Sequence, residues 1–232
     1  MNLLLMGPPG AGKGTQAAVL ARDLGLAHLA TGDILRNETA AGSPVGLKAK
    51  TFMEAGRLVP DDVMTQLVGE YVVKAAKANG FVLDGYPRTL PQADALQALL
   101  EGASIVLTAV VNLEVPEEVI VARLANRQTC PKDQRTYHPV NNPPGKPGVC
   151  DACGSALVTR NDDSEAVVRN RLRVYRESTA PLVEFYKKQG LLKSVDGLAA
   201  IPKIVLAIKG ILDEAQTAGP DSGRGTGRGE TP

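Results

Sequence analysis

The chain has 232 residues, of which 44% are hydrophobic, enough to build one large domain with a sizeable core. Its 26 basic and 25 acidic residues give a net charge of +1, which excludes the overall positive field that drives nonspecific nucleic-acid binding. The first apolar run is too short for a secretion signal, and no later run approaches the roughly 20 apolar residues that span a bilayer, so we expect a cytoplasmic protein without a membrane partner. The near-neutral charge gives no reason to expect a nucleic-acid partner, and a monomer is assumed rather than inferred from the sequence.

Short apolar runs alternate with longer amphipathic stretches, a pattern typical of a parallel sheet covered by helices on both faces. The predicted strands are residues 2–6, 27–30, 81–84, 104–111 and 191–195. The predicted helices are residues 16–24, 61–78, 91–99, 116–126, 163–188 and 200–215. We therefore predict an α/β fold with a doubly wound, five-stranded parallel sheet.

Two segments interrupt this alternation, at about residues 31–60 and 127–162, and we interpret both as insertions. The second is rich in Pro, Gly, Asn and Cys and has no helical period, so it predicts a small β-rich lobe. The tail at 218–232 has almost no apolar content, and we expect it to be disordered.

A glycine-rich turn lies directly behind the first predicted strand. Residues 7–15 read GPPGAGKGT and lead into a predicted helix. Glycines allow consecutive backbone N–H groups to converge on an anion, the helix N-terminus adds positive potential, and Lys13 can reach the β and γ phosphates. The turn predicts a nucleoside triphosphate site. Because Gly14 stands where the general pattern has Ser or Thr, magnesium is expected at Thr15 or through water.

Polar residues also follow the third predicted strand, in the segment FVLDGYPRT at 81–89. Asp84 ends the strand, where doubly wound sheets collect their ligands, and its carboxylate suits magnesium or a magnesium-bound water. Arg88 offers a planar guanidinium that matches a phosphate. The segment TGDILR at 31–36 has a similar composition but is a weaker signal, because capped helices with surface arginines are common.

Arginines accumulate around the second insertion. Arg123 and Arg127 lie four residues apart on a predicted helix and share one face, where like charges repel unless an anion lies between them. Arg160 lies near the end of the insertion, and Arg169 and Arg171 follow in the next predicted helix. Taken singly, each of these arginines reads as a solvated side chain. Together with the phosphate loop they indicate a polyanionic ligand.

All three cysteines lie in the second insertion. Cys130 and Asp133, followed by Cys150 and Cys153, reproduce the ligand spacing of a zinc ribbon with aspartate in one of four positions. Zinc accepts a carboxylate beside thiolates, and four protein ligands leave no open position for catalysis, so the pattern predicts a structural zinc site. The alternatives are His138 in place of Asp133, and a lobe without metal whose thiols are free or oxidised.

Taken together, these motifs resemble those of the adenylate kinases, specifically the bacterial form with a long, zinc-type lid, over about residues 1–210. The motifs that carry the resemblance are GPPGAGKGT at 7–15, TGDILR at 31–36, DGYPRT at 84–89 with Gln92, and YHPVNNPPGKPGVCDACG at 137–154. The resemblance implies reversible phosphoryl transfer, ATP + AMP = 2 ADP, with Mg²⁺ accompanying ATP and structural Zn²⁺ in the lid. It also implies a kinase domain at 1–217, with an inserted helical AMP-binding lobe at 30–59 and a lid at 126–163.

The resemblance assigns a role to each matching residue, with Gln92 reading the adenine edge of AMP. The residues expected at ATP are Gly10, Ala11, Gly12, Lys13, Gly14, Thr15, Arg123, Arg127, Thr136, Tyr137 and Ala199. The residues expected at AMP are Thr31, Arg36, Arg57, Leu58, Val59, Gly85, Tyr86, Pro87, Arg88, Gln92, Arg160 and Arg171. The residues expected to stabilise the transferred group are Lys13, Arg88, Arg127, Arg160 and Arg171.

Three residues depart from the usual pattern of that family: Asn126 replaces glycine, Asp133 replaces cysteine, and Tyr86 replaces phenylalanine. None of these changes removes a charge that phosphoryl transfer needs. Three other functions remain open from the sequence. They are a kinase for another nucleoside monophosphate such as CMP or UMP, a zinc-ribbon nucleic-acid-binding ATPase, and a noncatalytic nucleotide-sensing scaffold.

Overall fold

The structure, a computed structural model, describes residues 1–217. Its strands are β1 (Asn2–Met6), β2 (Ala27–Ala30), β3 (Phe81–Asp84), β4 (Ala109–Glu114), β5 (Gln128–Thr129), β6 (Thr136–Tyr137) and β7 (Leu192–Asp196). Its α-helices are α1 (Lys13–Leu24), α2 (Thr31–Ala40), α3 (Pro44–Glu54), α4 (Asp61–Ala78), α5 (Leu90–Gly102), α6 (Glu117–Ala125), α7 (Glu165–Val174), α8 (Pro181–Lys188) and α9 (Ile201–Thr217). A 3₁₀ turn (Asn161–Asp163) precedes α7, and a π-helical turn (Tyr175–Thr179) joins α7 to α8.

Five strands form one parallel sheet in the order β2-β3-β1-β4-β7, which confirms the predicted α/β fold. β1 is central, with β3 on one side and β4 on the other. The chain therefore changes its direction of winding at β1. In open sheets of this kind, ligands bind at such a switch point, beyond the carboxyl ends of the strands.

The sheet is buried on both faces, which explains why β1 reads as a continuous apolar run rather than an alternating one. Leu4 and Met6 pack on one face with residues of α4, α5 and α8. Leu3 and Leu5 pack on the other face with residues of α1 and α9. Because successive side chains of a strand point to opposite faces of the sheet, β1 contributes to two separate cores. Packing on both faces holds the carboxyl end of β1 in place.

Most element boundaries lie within three residues of the prediction, and two elements differ more. The strand predicted at 104–111 begins only at Ala109, because Ser104 has a left-handed φ of 55° and the following Ile105 and Leu107 pack against the core without pairing in the sheet. The long helix predicted at 163–188 is divided into α7, the π-helical turn and α8. Pro181 starts α8, and a proline lacks the N–H that a continuous helix requires.

The two insertions have the predicted character. The first contains α2 and α3. The second contains the antiparallel pair β5–β6, further isolated bridges and a small core around Cys130, Tyr137 and Cys150. The tail predicted to be disordered, 218–232, lies outside the described residues. Within residues 1–217, no helix combines the length and apolar character needed to cross a membrane.

Candidate active site

A cavity of about 630 Å³ opens at the carboxyl end of the sheet, lined by the glycine-rich turn, both insertions and the region of α7. It brings together nearly all of the site residues predicted from the sequence. The predicted residues that line it are Gly10, Ala11, Gly12, Lys13, Gly14, Thr15, Thr31, Arg36, Arg57, Leu58, Val59, Asp84, Gly85, Pro87, Arg88, Gln92, Arg123, Arg127, Thr136, Tyr137, Arg160, Arg171 and Ala199.

The glycine-rich turn connects β1 to α1 and has a backbone that only glycine can adopt. Gly7 and Gly10 have φ values of +132° and +83°. A Cβ on Gly7 would lie 2.6 Å from the carbonyl oxygen of Leu113, and one on Gly10 would lie 2.8 Å from Cγ of Leu124. The turn therefore packs directly against β4 and α6 while its N–H groups and the start of α1 form the floor of the cavity.

Lys13, the first residue of α1, reaches back over the turn. Its Nζ donates hydrogen bonds to the carbonyl oxygens of Gly7 at 2.8 Å and Pro8 at 2.9 Å. Burial lowers the pKa of Lys13 to about 8, Asp84 opposes this shift, and nearby arginines, Arg88 first among them, reinforce it. A triphosphate in the cavity would compensate this crowding of positive charge.

Asp84 lies at the carboxyl end of β3, against the glycine-rich turn. A Cβ added to Gly14 would be only 3.4 Å from its carboxylate, and Thr15 lines the same cavity. Thr31, at the start of α2, donates to the backbone carbonyl of Asp84 at 3.2 Å. A carboxylate and a hydroxyl beside a phosphate loop are ligands that suit Mg²⁺, held directly or through water. The donor set therefore fits the metal.

Arg88 is held through both its side chain and its backbone. Its Nε donates to the carbonyl of Gly85 at 2.7 Å, its backbone N–H donates to Oε1 of Gln92 at 2.7 Å, and its carbonyl accepts from the hydroxyl of Thr179 at 2.8 Å. Burial lowers the pKa of Arg88. The sequence analysis missed Thr179, a cavity-lining residue whose position in the π-helical turn no local motif indicates.

Three further arginines, which we call the cationic wall, line the cavity: Arg127 and Arg160 in the second insertion and Arg171 in α7. Arg127 donates to both carboxylate oxygens of Asp163, with 2.7 Å between Nε and Oδ2, and Arg171 contacts Asp163 and Asp162 at 3.3 and 3.1 Å. Burial lowers the pKa of Arg160 to about 9, and its Nε finds no hydrogen-bond acceptor within residues 1–217. This wall has unused donor capacity for an anion.

Two contacts join the first insertion to the second insertion beside the cavity. Arg36 of α2 pairs with Asp33 and donates from its Nε to Oε1 of Gln134 at 3.2 Å. Arg160 lies 3.8 Å from Asp33. Asp33, Arg36 and Arg160, which line the cavity, therefore also connect the two insertions.

Tyr86, expected at AMP, has a different position from its neighbours. Its ring is buried among the core residues, and its hydroxyl hydrogen-bonds Thr65 at 3.0 Å and lies 3.2 Å from the carbonyl oxygen of Gln92. It is not among the residues that line the cavity. Tyr86 thus supports the backbone of Gln92 from the core side, which explains why a hydroxyl is compatible with this position.

The far end of the cavity combines a cation with apolar and backbone surfaces. Arg123 donates to the carbonyl of Gly197 at 3.0 Å, and burial lowers its pKa. Leu198 and Ala199 follow Gly197 directly and also line the cavity, and Leu198 is an exposed apolar residue that the sequence analysis did not single out. Thr136 is a further cavity-lining residue. Such a surface suits a flat heteroaromatic base.

The four predicted zinc ligands form one cluster in the second insertion. The sulfur atoms of Cys130, Cys150 and Cys153 and a carboxylate oxygen of Asp133 all lie within 4.8 Å of one another. His138 lies outside this group, and its Nδ1 instead accepts backbone N–H groups of its own turn at 3.1 and 3.2 Å. Three thiols and one carboxylate that converge in this way fit a tetrahedral zinc ion.

Comparison with known proteins agrees with this geometry. The family model described as adenylate kinase matches residues 5–191. The adenylate kinase of Moorella thermoacetica is 50% identical over 208 residues, which cover 90% of this chain and 96% of the relative. The adenylate kinase of Carboxydothermus hydrogenoformans is 48% identical over 92% of this chain and the whole length of the relative. The adenylate kinase of Desulforudis audaxviator is 49% identical over 88% of this chain and 95% of the relative. The chain belongs to the adenylate kinase family.

Proposed function

We propose that the chain catalyses reversible phosphoryl transfer, ATP + AMP = 2 ADP, with both nucleotides bound in the cavity at the carboxyl end of the sheet. The observation that carries the proposal is the placement of the buried cations. Lys13 lies within electrostatic reach of Arg88, Arg127 and Arg171, which all act on its pKa. A single triphosphate on the glycine-rich turn does not require arginines from three separate segments, whereas two polyanions that must meet do.

The reaction needs no catalytic base. The second pKa of a phosphate monoester is about 6, so the AMP phosphate carries an unprotonated oxygen at neutral pH. That oxygen forms a bond to the γ-phosphorus of ATP while the bond from this phosphorus to the β–γ bridging oxygen breaks, and the electron pair leaves with ADP. The protein's contribution is position and charge, which Lys13, Arg88, Arg127, Arg160 and Arg171 supply.

We assign ATP to the side of the glycine-rich turn and AMP to the side of the first insertion. The start of α1 and Lys13 hold the ATP phosphates, while Arg123 and the backbone around Ala199 contact the ATP base. Thr31, Arg36 and residues 57–59 surround AMP, and Gln92 reads its base. Asp84 and Thr15 would hold magnesium, which, when bound, neutralises charge on the phosphate oxygens.

We assign the first insertion, 30–59, as the AMP-binding lobe and the second, 126–163, as the lid of a kinase domain that spans 1–217. Water is the competing acceptor of the phosphoryl group. Closure of the lid over both nucleotides would exclude it, and the contact between Arg36 and Gln134 supports such a meeting of lid and lobe. We expect this kinase domain to act as a monomer.

We also propose a structural zinc ion at Cys130, Asp133, Cys150 and Cys153. The lid has only a small apolar core, and a metal would stiffen a lobe of this size. The thiols are free in the structure, as expected for the reducing cytoplasm in which we place the protein. Loss of the zinc is expected to affect stability before chemistry, because four protein ligands leave the ion no open position.

The test is an assay of ADP formation from ATP with AMP, CMP, UMP or GMP as acceptor, each at equal concentration. We expect AMP to be used in strong preference to the other three. Efficient use of CMP or UMP would move the assignment to another nucleoside monophosphate kinase. ADP formation that needs no acceptor would indicate an ATPase instead.

A further inference from the structure

The side-chain amide of Gln92 is held at both of its ends. Gln92 is only 2% exposed, and it lines the cavity from the first turn of α5. Its Nε2 donates to Oδ1 of Asp61 at 2.7 Å, and its Oε1 accepts the backbone N–H of Arg88 at 2.7 Å. A carboxylate oxygen only accepts and a backbone N–H only donates, so these two partners fix which end of the amide is nitrogen and which is oxygen.

Asp61 is itself fixed. It is the first residue of α4, where the helix N-terminus favours negative charge. Its Oδ2 accepts from the hydroxyl of Thr89 at 3.0 Å, and Thr89 in turn caps α5, because its oxygen accepts the backbone N–H of Gln92 at 3.2 Å. The carboxylate therefore cannot turn away from Gln92 without breaking a second hydrogen bond.

This arrangement leaves Gln92 with one N–H and one oxygen lone pair for a ligand, in a fixed order. Adenine offers a donor at its 6-amino group and an acceptor at N1, which match the lone pair and the N–H. A 6-oxopurine offers the reverse, an acceptor at O6 and a donor at N1. To pair with it, the amide would have to turn over. Its NH₂ would then face the N–H of Arg88, and its oxygen would face the carboxylate of Asp61.

We propose that Asp61 is a positioning residue that sets the choice of acceptor base: by locking the amide of Gln92, it makes the site select 6-aminopurine over 6-oxopurine monophosphates. This inference rests on the proposed AMP site and deepens it. Asp61 does not line the cavity and would reach the base through Gln92. The sequence gives it no motif, and it lies 31 residues from its partner.

The variant Asp61→Asn tests the inference. An asparagine amide can accept or donate, so a turned-over Gln92 no longer meets a carboxylate, and only the backbone N–H of Arg88 still opposes that orientation. We expect the ratio of kcat/KM for AMP to kcat/KM for inosine monophosphate to fall about tenfold or more, the discrimination carried by one buried hydrogen bond. The change should lie mainly in KM for the acceptor, while KM for ATP stays the same. Asp61→Glu keeps a carboxylate at this position, and it should retain more of the wild-type ratio than Asp61→Asn does.

The matched control is Asp62→Asn. Asp62 is the next residue in the same helical turn and is exposed, so this variant removes the same charge from the same helix N-terminus without touching Gln92. It should keep the wild-type ratio. An unchanged ratio in Asp61→Asn, or an equal fall in Asp62→Asn, would overturn the inference.

A measurement on the wild-type protein decides the matter if Asp61→Asn does not fold. Purine riboside monophosphate lacks a 6-substituent and merely forgoes one hydrogen bond, whereas inosine monophosphate meets a mismatched amide. The inference therefore requires kcat/KM to decrease in the order AMP, purine riboside monophosphate, inosine monophosphate. If kcat/KM for inosine monophosphate equals or exceeds kcat/KM for purine riboside monophosphate, the fixed orientation of Gln92 is wrong. The kinase assignment would remain intact. Absence of ADP from ATP and AMP in the wild type would instead overturn the proposed function, and the inference with it.

Discussion

The hydroxyl of Thr179 donates a hydrogen bond to the backbone carbonyl of Arg88 at 2.8 Å. Thr179 ends the π-helical turn between α7 and α8, and α7 carries Arg171. The π turn replaces regular helix at this point, a feature that often marks functional sites. One continuous segment thus presents Arg171 to the cavity and fixes the backbone of Arg88, although 91 residues separate Thr179 from Arg88.

Replacement of Thr179 by valine should reduce kcat by about tenfold, because an arginine that loses its backbone anchor spends less time in the geometry for transfer. KM for ATP should change little. Thr179→Ser keeps the hydroxyl and is the control, expected to have near wild-type kcat. Steady-state kinetics with both substrates measure the effect. Equal kcat values for the valine and serine variants would show that this hydrogen bond does not position Arg88.

Lys13→Ala and Arg88→Ala should each lower kcat by at least about 100-fold, the scale seen when a charge-stabilising donor is removed from an active site. Both are cations that line the cavity and belong to neither hydrophobic core of the sheet, so the melting temperature should change little. Arg169→Ala is the control, since Arg169 is exposed and paired with Glu165 on α7. Activity near the wild-type level in either site variant would contradict the proposed roles.

Activity should depend on pH through Lys13. Burial lowers the pKa of this lysine to about 8 without nucleotide, so as the pH rises through about 8 the free enzyme loses the charge that receives the triphosphate. kcat/KM for ATP, which reports the free enzyme, should therefore decline above pH 8. In the complex the phosphates favour protonated lysine, so kcat should decline only at higher pH. A kcat/KM profile that stays flat well above pH 8 would contradict this.

The lid should bind about one zinc ion per chain, because one cluster of four ligand atoms is present in residues 1–217. Removal of the metal with a chelator should lower the melting temperature. Asp133→Cys should retain zinc against a stronger chelator, since thiolate is the softer ligand, whereas Asp133→Ala should lose it more readily. Metal analysis and thermal melting measure these effects. Metal-free protein with unchanged melting would refute the zinc site.

The sequence predicted the sheet and most of the residues that line the cavity, because both have local signatures. A strand buried on two faces is a continuous apolar run, a phosphate loop needs glycines at fixed places, and zinc ligands have fixed spacing. The error at residues 104–108 has the same origin. Ile105 and Leu107 are apolar because they face the core, and the sequence does not distinguish core packing from pairing in a sheet.

Residues that act through other residues were not predictable in this way. Asp61 and Thr179 are 31 and 91 residues from the groups they hold. Asp61 stands at the start of a helix and Thr179 stands just before Ala180-Pro181. Polar residues are common at both kinds of position for reasons unrelated to a site. Only the fold shows that these two side chains hold Gln92 and Arg88.

The most direct test of the central claim is the stoichiometry of the reaction. It is measured by chromatographic separation of the nucleotides together with an assay for inorganic phosphate. Transfer between two nucleotides bound in one cavity predicts two ADP formed for each AMP consumed, with negligible phosphate release and no ADP when AMP is omitted. One ADP and one phosphate released per ATP, at a rate independent of AMP, would contradict it.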